Sequence, residues 1–170
     1  WQHRNGELLM ATRPLNAERL LSLAPTPLPV LPRGTSVGHL HFRVSQLEAA
    51  ERFYADTLGL EVRLRSYPGA LFFAADGYHH HIGVNIWGFP QRLPTEHTAG
   101  LVLFTLGTSS NELFEQLRHR CQPAVLAQQE QWMLLSDPWR HRLLVTPLPA
   151  LPTTPEAAVG MLNQLLQVLQ

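Results

Sequence analysis

Alternating apolar and polar positions first become regular at Val37. There GHLHFRV puts Leu40, Phe42 and Val44 on one face of a strand and His39, His41 and Arg43 on the other. The next segment, SQLEAAERFYADTLG, changes to a helical period: Leu47, Ala50, Phe53, Tyr54 and Leu58 share a face, and Gly59 stands where a helix C-terminus is expected. Ser45 with Glu48 three residues on predicts a capping box. Leu60–Ser66, Ala70–Ala75 and His79–Trp87 follow as strands, separated by the turn pairs Pro68-Gly69 and Asp76-Gly77.

The second half repeats this order. A strand from Gly100 (GLVLFTL) leads into the helix SSNELFEQLRHRC, and Pro123–Gln128, Gln131–Ser136 and Arg142–Thr146 are the strands after it. Gly38 and Gly100 are 62 residues apart, Asp76 and Asp137 61, so DGYHHHIGV lies over DPWRHRLLV, with Tyr78 over Trp139 and His80 over His141. The expected fold is α+β: two βαβββ modules, 37–87 and 100–146, side by side in a curved mixed sheet around a cleft, with helices outside. The paired domain is expected over 35–150. Residues 1–23 precede it with an apolar stretch, Glu7 to Ala11, and a helical patch, Asn16 to Leu23. Residues 24–34 form a Pro-rich linker. After it, 151–170 reads as a helix capped by Thr154 with Pro155 at its first position; Val159, Leu162, Leu165, Leu166 and Leu169 form a stripe for the domain's own core or a subunit contact.

Composition narrows the class. Thirteen basic residues balance 13 acidic ones, which argues against nucleic acid or an anionic membrane as partner, and no apolar run reaches membrane-spanning length. The opening WQHRNG carries neither Met nor a signal pattern and reads as a chain that has lost its beginning. The single Cys121 rules out an internal disulfide and fits a reducing cytoplasm.

The candidate chemistry lies in the histidines. Continuing the alternation through the third strand puts His79 and His81 on the cleft face with Gly83 and Asn85, and turns His80 to the apolar side. His39, His41, His79 and His81 then converge as metal ligands or proton carriers, or as hydrogen-bonded polar groups of a cleft without metal. Asn85 is a satisfied strand amide or a ligand contact. His97, with Glu96, reads as solvated loop. His3, His119 and His141 read as surface or packing residues, and Trp87, Trp132 and Trp139 as core or cleft wall. There is no phosphate loop, nucleophile elbow or Ser/His/Asp set.

GHLHFRVSQLEAAERFYADTLGLEV, ALFFAADGYHHHIGVNIW and SDPWRHRLLV resemble the vicinal oxygen chelate superfamily of glyoxalase I, bleomycin-resistance proteins and extradiol dioxygenases. Over residues 35–146, GH.H..V, FY..TLGL and YHHHIG.N.W are similar to the catechol 2,3-dioxygenase-like ring-cleavage proteins, and residues 1–23 resemble the end of their preceding domain. The resemblance implies Fe(II), or less often Mn(II), held by two histidines and a carboxylate with open positions for catecholate and O₂. It implies His39 as the first ligand and His81 as the acid/base for the bound catechol. The other ligand positions fall on Leu101 and Leu144, and the first-module counterpart of Leu144 is Gly83. The metal set expected here is therefore His39, His41 and His79, with His81 catalytic; alternatively another domain carries the metal, or it is lost. The implied functions are a ring-cleavage dioxygenase or its C-terminal half, a non-catalytic binding module of the bleomycin-resistance kind, or glyoxalase-like lyase chemistry. Implied partners are a small aromatic substrate or ligand and a second copy of the chain or a missing N-terminal domain.

Overall fold

The computed structural model describes residues 2–4, 7–11, 14–23, 30–32, 34–88, 95 and 100–168. Most of the Pro-rich segment and the loop with Glu96 and His97 lie outside the described residues, as do the side chain of His3 and Leu169 of the tail. The chain begins with an antiparallel hairpin, β1 (Gln2–Arg4) and β2 (Glu7–Leu9), and a short exposed helix, α1 (Ala17–Leu23). Leu8 of the hairpin is buried.

Each half then builds the same four-stranded sheet. The first module runs β3 (Leu40–Arg43), α2 (Leu47–Glu51), β4 (Glu61–Leu64), β5 (Ala70–Ala74) and β6 (Ile82–Asn85), in sheet order β3-β6-β5-β4. The second runs β7 (Phe104–Thr108), α3 (Asn111–Arg120), β8 (Val125–Gln129), β9 (Trp132–Ser136) and β10 (Arg142–Pro147), in order β7-β10-β9-β8. In both, the first and last strands pair in parallel and the other ladders are antiparallel. The repeat thus appears as two separate sheets of one topology. A helix over Pro155–Val168, α4, closes the described chain.

One apolar core joins the modules. Phe42, Val44, Leu71, Phe73, Ile82 and Val84 of the first sheet pack with Phe53, Tyr54 and Leu58 on one side and with Phe104, Met133, Leu143 and Val145 of the second module. Polar contacts fix the junction. The buried carboxylate of Asp137 accepts hydrogen bonds from the Tyr54 hydroxyl at 2.8 Å and from the backbone N–H groups of Trp139 and His141, and its Oδ2 lies 2.7 Å from His141 Nδ1. Trp139 Nε1 donates to Ser45 Oγ at 2.9 Å. Ser45 therefore binds the neighbouring module instead of capping α2; the helix begins after Gln46 without a side-chain cap.

The first helix also changes character. After Glu51 it widens into a π-helix over Arg52–Thr57. Gly59, at φ 78°, ends it as expected, its N–H donating to Ala55 O at 2.8 Å in an αL closure. In the second module Ser110 caps α3 by accepting from Leu113 N–H, and Thr154 caps α4 through Ala157 N–H. Of the apolar stripe expected on α4, Leu165 is buried while Val159 and Leu162 stay exposed. None of the described helices is long and apolar enough to cross a membrane.

Candidate functional site: an imidazole cluster beside a ring of aromatic side chains

The face of the first sheet away from α2 carries the candidate residues. Asp76 (φ 53°) and Gly77 (φ 69°) turn the chain after β5, and β6 begins only at Ile82. Residues Tyr78 to His81 are therefore irregular backbone, and strand alternation does not govern them. The consequence is a different set of histidines from the one alternation predicts. His80 is buried against His39, with ring centroids 4.3 Å apart, and His79 meets both, at 4.7 Å from His80 and 6.1 Å from His39. One ring nitrogen from each of His39, His79 and His80 lies within 4.8 Å of the others.

His41 and His81 fall outside this group. His81 Nδ1 accepts from Ala75 N–H at 3.2 Å, and its ring stacks on Tyr78 at 4.6 Å. His41 lies flat on Gly83, where an added Cβ would come within 2.8 Å of Nδ1. Its Nε2 is 2.7 Å from Asn85 Nδ2, an acceptor position toward the amide, and Asn85 Oδ1 accepts from Trp87 N–H. Asn85 is thus a satisfied strand amide, and it holds the His41 ring and the Trp87 backbone at once. His41, Phe72, Tyr67 and Trp87 form a closed circuit of neighbours, with centroids 5.9, 6.2, 5.7 and 6.3 Å apart around it. Trp87 is held by a bond from Nε1 to Pro68 O and fits because Gly69 has no side chain. Phe72 joins the two groups, its ring 5.0 Å from His80. Met10, from the N-terminal segment, packs on the same patch with Leu64 and Ala70.

The electrostatics favour the neutral form of three rings, His41, His79 and His80. Burial first, then the imidazoles of His39, His79, His41 and His81, push His80 down to about 4. Burial and then His39 lower His41, and burial followed by His39 and His81 lowers His79. Neutral imidazoles at neutral pH can ligate a metal or accept a proton. His39 and His41 are exposed, His79 and His81 half-buried and His80 buried; a cavity of about 350 Å³ lies elsewhere, along β4 between Val62 and Ser66.

The second module offers no counterpart. Leu40 pairs with Ile82 and Phe104 with Leu143, and Ile82 and Leu143 stand at the same distance past the turn aspartates Asp76 and Asp137. His39 therefore corresponds to Leu103. The glycine spacing that led to Leu101 is two residues short, and Leu101 is exposed. Leu144 keeps its assignment, opposite Thr105 and Leu134, and is 1% exposed. An added Cβ at Gly107 of β7 would meet the side chains of Leu148 and Leu151, which follow β10. The face that could have carried ligands here is packed with leucine. Iron or manganese at a site spanning both modules does not fit these side chains.

Sequence reasoning missed His80, Tyr67 and Phe72. The signal for His80 was present: the Asp76-Gly77 turn just upstream delays the strand.

Paired βαβββ modules with a cluster of imidazoles on one sheet face define a class, and the comparisons name it. The model of the Glyoxalase/Bleomycin resistance protein/Dioxygenase superfamily matches residues 36–119, and the chain belongs to this superfamily. The Catechol-2,3-dioxygenase of Bacillus subtilis (strain 168) is 38% identical over 129 residues, 73% of this chain and 45% of that protein, so the chain spans a little under half that relative's length. Among the solved structures that share the fold are two of similar likeness. A glyoxylase/bleomycin resistance protein/dioxygenase domain from Frankia sp. EAN1pec has a TM-score of 0.51 at 16% identity over 66% of this chain and 91% of that one. Lactoylglutathione lyase from Agrobacterium tumefaciens has 0.50 at 17% identity over 69% and 96%.

Proposed function

We propose that this chain is the C-terminal, substrate-holding half of a catechol 2,3-dioxygenase-like ring-cleavage protein, acting on a small aromatic diphenol at the first module's open sheet face. The observation that carries this reading is the juxtaposition of His39, His79 and His80 with the circuit His41–Phe72–Tyr67–Trp87. A planar ring stacks on aromatic side chains, and its hydroxyl edge then meets the imidazoles. The relatedness to a catechol-2,3-dioxygenase supports the substrate class.

In this reading Phe72 and Trp87 orient the substrate ring, and Asn85 keeps His41 and the Trp87 backbone in place before it arrives. His81 is the acid. Its Nδ1 accepts from Ala75 N–H, so the neutral ring carries its proton on Nε2, the atom that donates to the oxygen of the bound substrate. His39 is the one residue of the family's ligand set present here; a divalent ion such as Fe(II), if held by it and neighbouring imidazoles of the first module, would supply activation of O₂ and of the diphenol. The net reaction adds both oxygen atoms of O₂ across one carbon–carbon bond of the ring, which opens.

Oxygen uptake by ferrous-loaded, untagged protein given catechol tests the proposal. Consumption of one O₂ per catechol is expected, with a product heavier by two oxygen atoms. Activity should fall at least about 100-fold in His81→Gln with the metal content unchanged. Catechol bound without oxygen uptake would overturn the proposal in favour of a non-catalytic binding module.

A further inference from the structure

The ring-cleavage reading needs a metal, and the two-module site implied by the family is blocked by Leu103 and Leu144. We infer that this chain binds its divalent ion at an all-imidazole site within the first module, formed by His39, His79 and His80. The inference rests on the ring-cleavage reading only for its chemistry; the geometry stands alone.

Three observations carry it. The three ring nitrogens already lie within 4.8 Å of one another. Bonds of about 2.0–2.1 Å bring tetrahedral nitrogens to about 3.4 Å, so closure requires side-chain rotations of roughly an ångström. The backbone supports such rotations, since His79 and His80 sit in the irregular segment before β6 and His39 in the residue just before β3. Finally, three protein ligands leave open coordination positions, and the aromatic circuit lies directly beside them through Phe72.

The ligand set also predicts metal preference. A site with two histidines and a carboxylate leaves a divalent ion with one net positive charge, whereas three neutral imidazoles leave two. Imidazole suits Fe(II), Co(II), Ni(II) and Zn(II), and Mn(II), better matched by carboxylate, stands lowest in the affinity order. The site should therefore discriminate against Mn(II).

Titration of the untagged, metal-free protein with cobalt(II) chloride, read by d–d absorption and calorimetry, tests the assignment. One equivalent is expected to bind, and Mn(II) should compete poorly. His39→Ala, His79→Ala and His80→Gln should each weaken cobalt binding by about 100-fold or more, whereas His41→Ala and His81→Ala should leave it within a few-fold. Because His80 is buried, each variant is also checked by thermal melting, and the exposed His39 and half-buried His79 give the result independently of any folding defect at His80. Unchanged cobalt binding in the His39 and His79 variants, or loss in His41→Ala alone, overturns the site. If that happens while oxygen uptake persists, the ring-cleavage proposal stands without it. Tight cobalt binding with no oxygen uptake separates the two in the other direction.

Discussion

At the scale of single residues, glycine decides where the aromatic groups can lie. Gly83 lets His41 rest on the sheet, and a side chain there would collide with the imidazole. Gly83→Val should displace His41 from Asn85 and weaken binding of an aromatic ligand by about tenfold or more, at a stability cost of about 1–3 kcal/mol. Ligand titration beside urea unfolding separates the two effects, and unchanged binding would show that His41 takes no part in the site. Asp137 is the residue on which the module junction depends. Asp137→Ala leaves the Tyr54 hydroxyl and His141 without their buried acceptor and should cost about 3 kcal/mol in urea unfolding. Burial first, then Asp137, raises Tyr54 well above its usual value. The folded state holds this proton more tightly than the unfolded one, so its stabilising contribution is intact below about pH 10 and is lost as pH rises beyond it. Stability measured upward from pH 9 should fall more steeply in the wild type than in Tyr54→Phe. Burial pushes the Cys121 thiol up to about 11; a disulfide reagent at pH 8 should label it only when the chain unfolds.

At the scale of elements, the helix and strand periods were legible where the chain is regular and misleading where it is not. Phe42, Val44, Ile82 and Val84 lie on the core face as alternation predicts. His80 does not obey that rule because the strand starts two residues after it. The capping rule succeeded at Thr154 and failed at Ser45, whose hydroxyl is taken by Trp139, a partner distant in sequence. Local sequence carries no signal for such a tertiary competitor. The two serines give a direct comparison. Ser110→Ala should destabilise α3 by about 1 kcal/mol through loss of its cap. Ser45→Ala should leave the helicity of α2 unchanged while coupling energetically to Trp139→Phe in a double-mutant cycle. Additivity in that cycle would contradict the inter-module role of Ser45.

At the scale of the whole molecule, the internal repeat alone specifies the fold, because each βαβββ unit leaves a sheet face that its partner module must help bury. It specifies the site less well. Two glycines suggest one register, and strand pairing requires another, with Leu103 opposite His39 in the repeat. Of the four histidines that alternation groups, His39 and His79 converge, joined by His80, while His41 and His81 turn to Asn85 and Ala75. The resulting division is unequal. The second module fills the corresponding sheet face with Leu144 and Leu134 and supplies the junction, and the first module carries the imidazole cluster and the ring of aromatic side chains. The most direct measurement of this division is an anomalous difference map from crystals grown with cobalt(II). A single strong peak within bonding distance of His39, His79 and His80 is the predicted result. A peak in the second module, or no ordered ion beside the first, would contradict it.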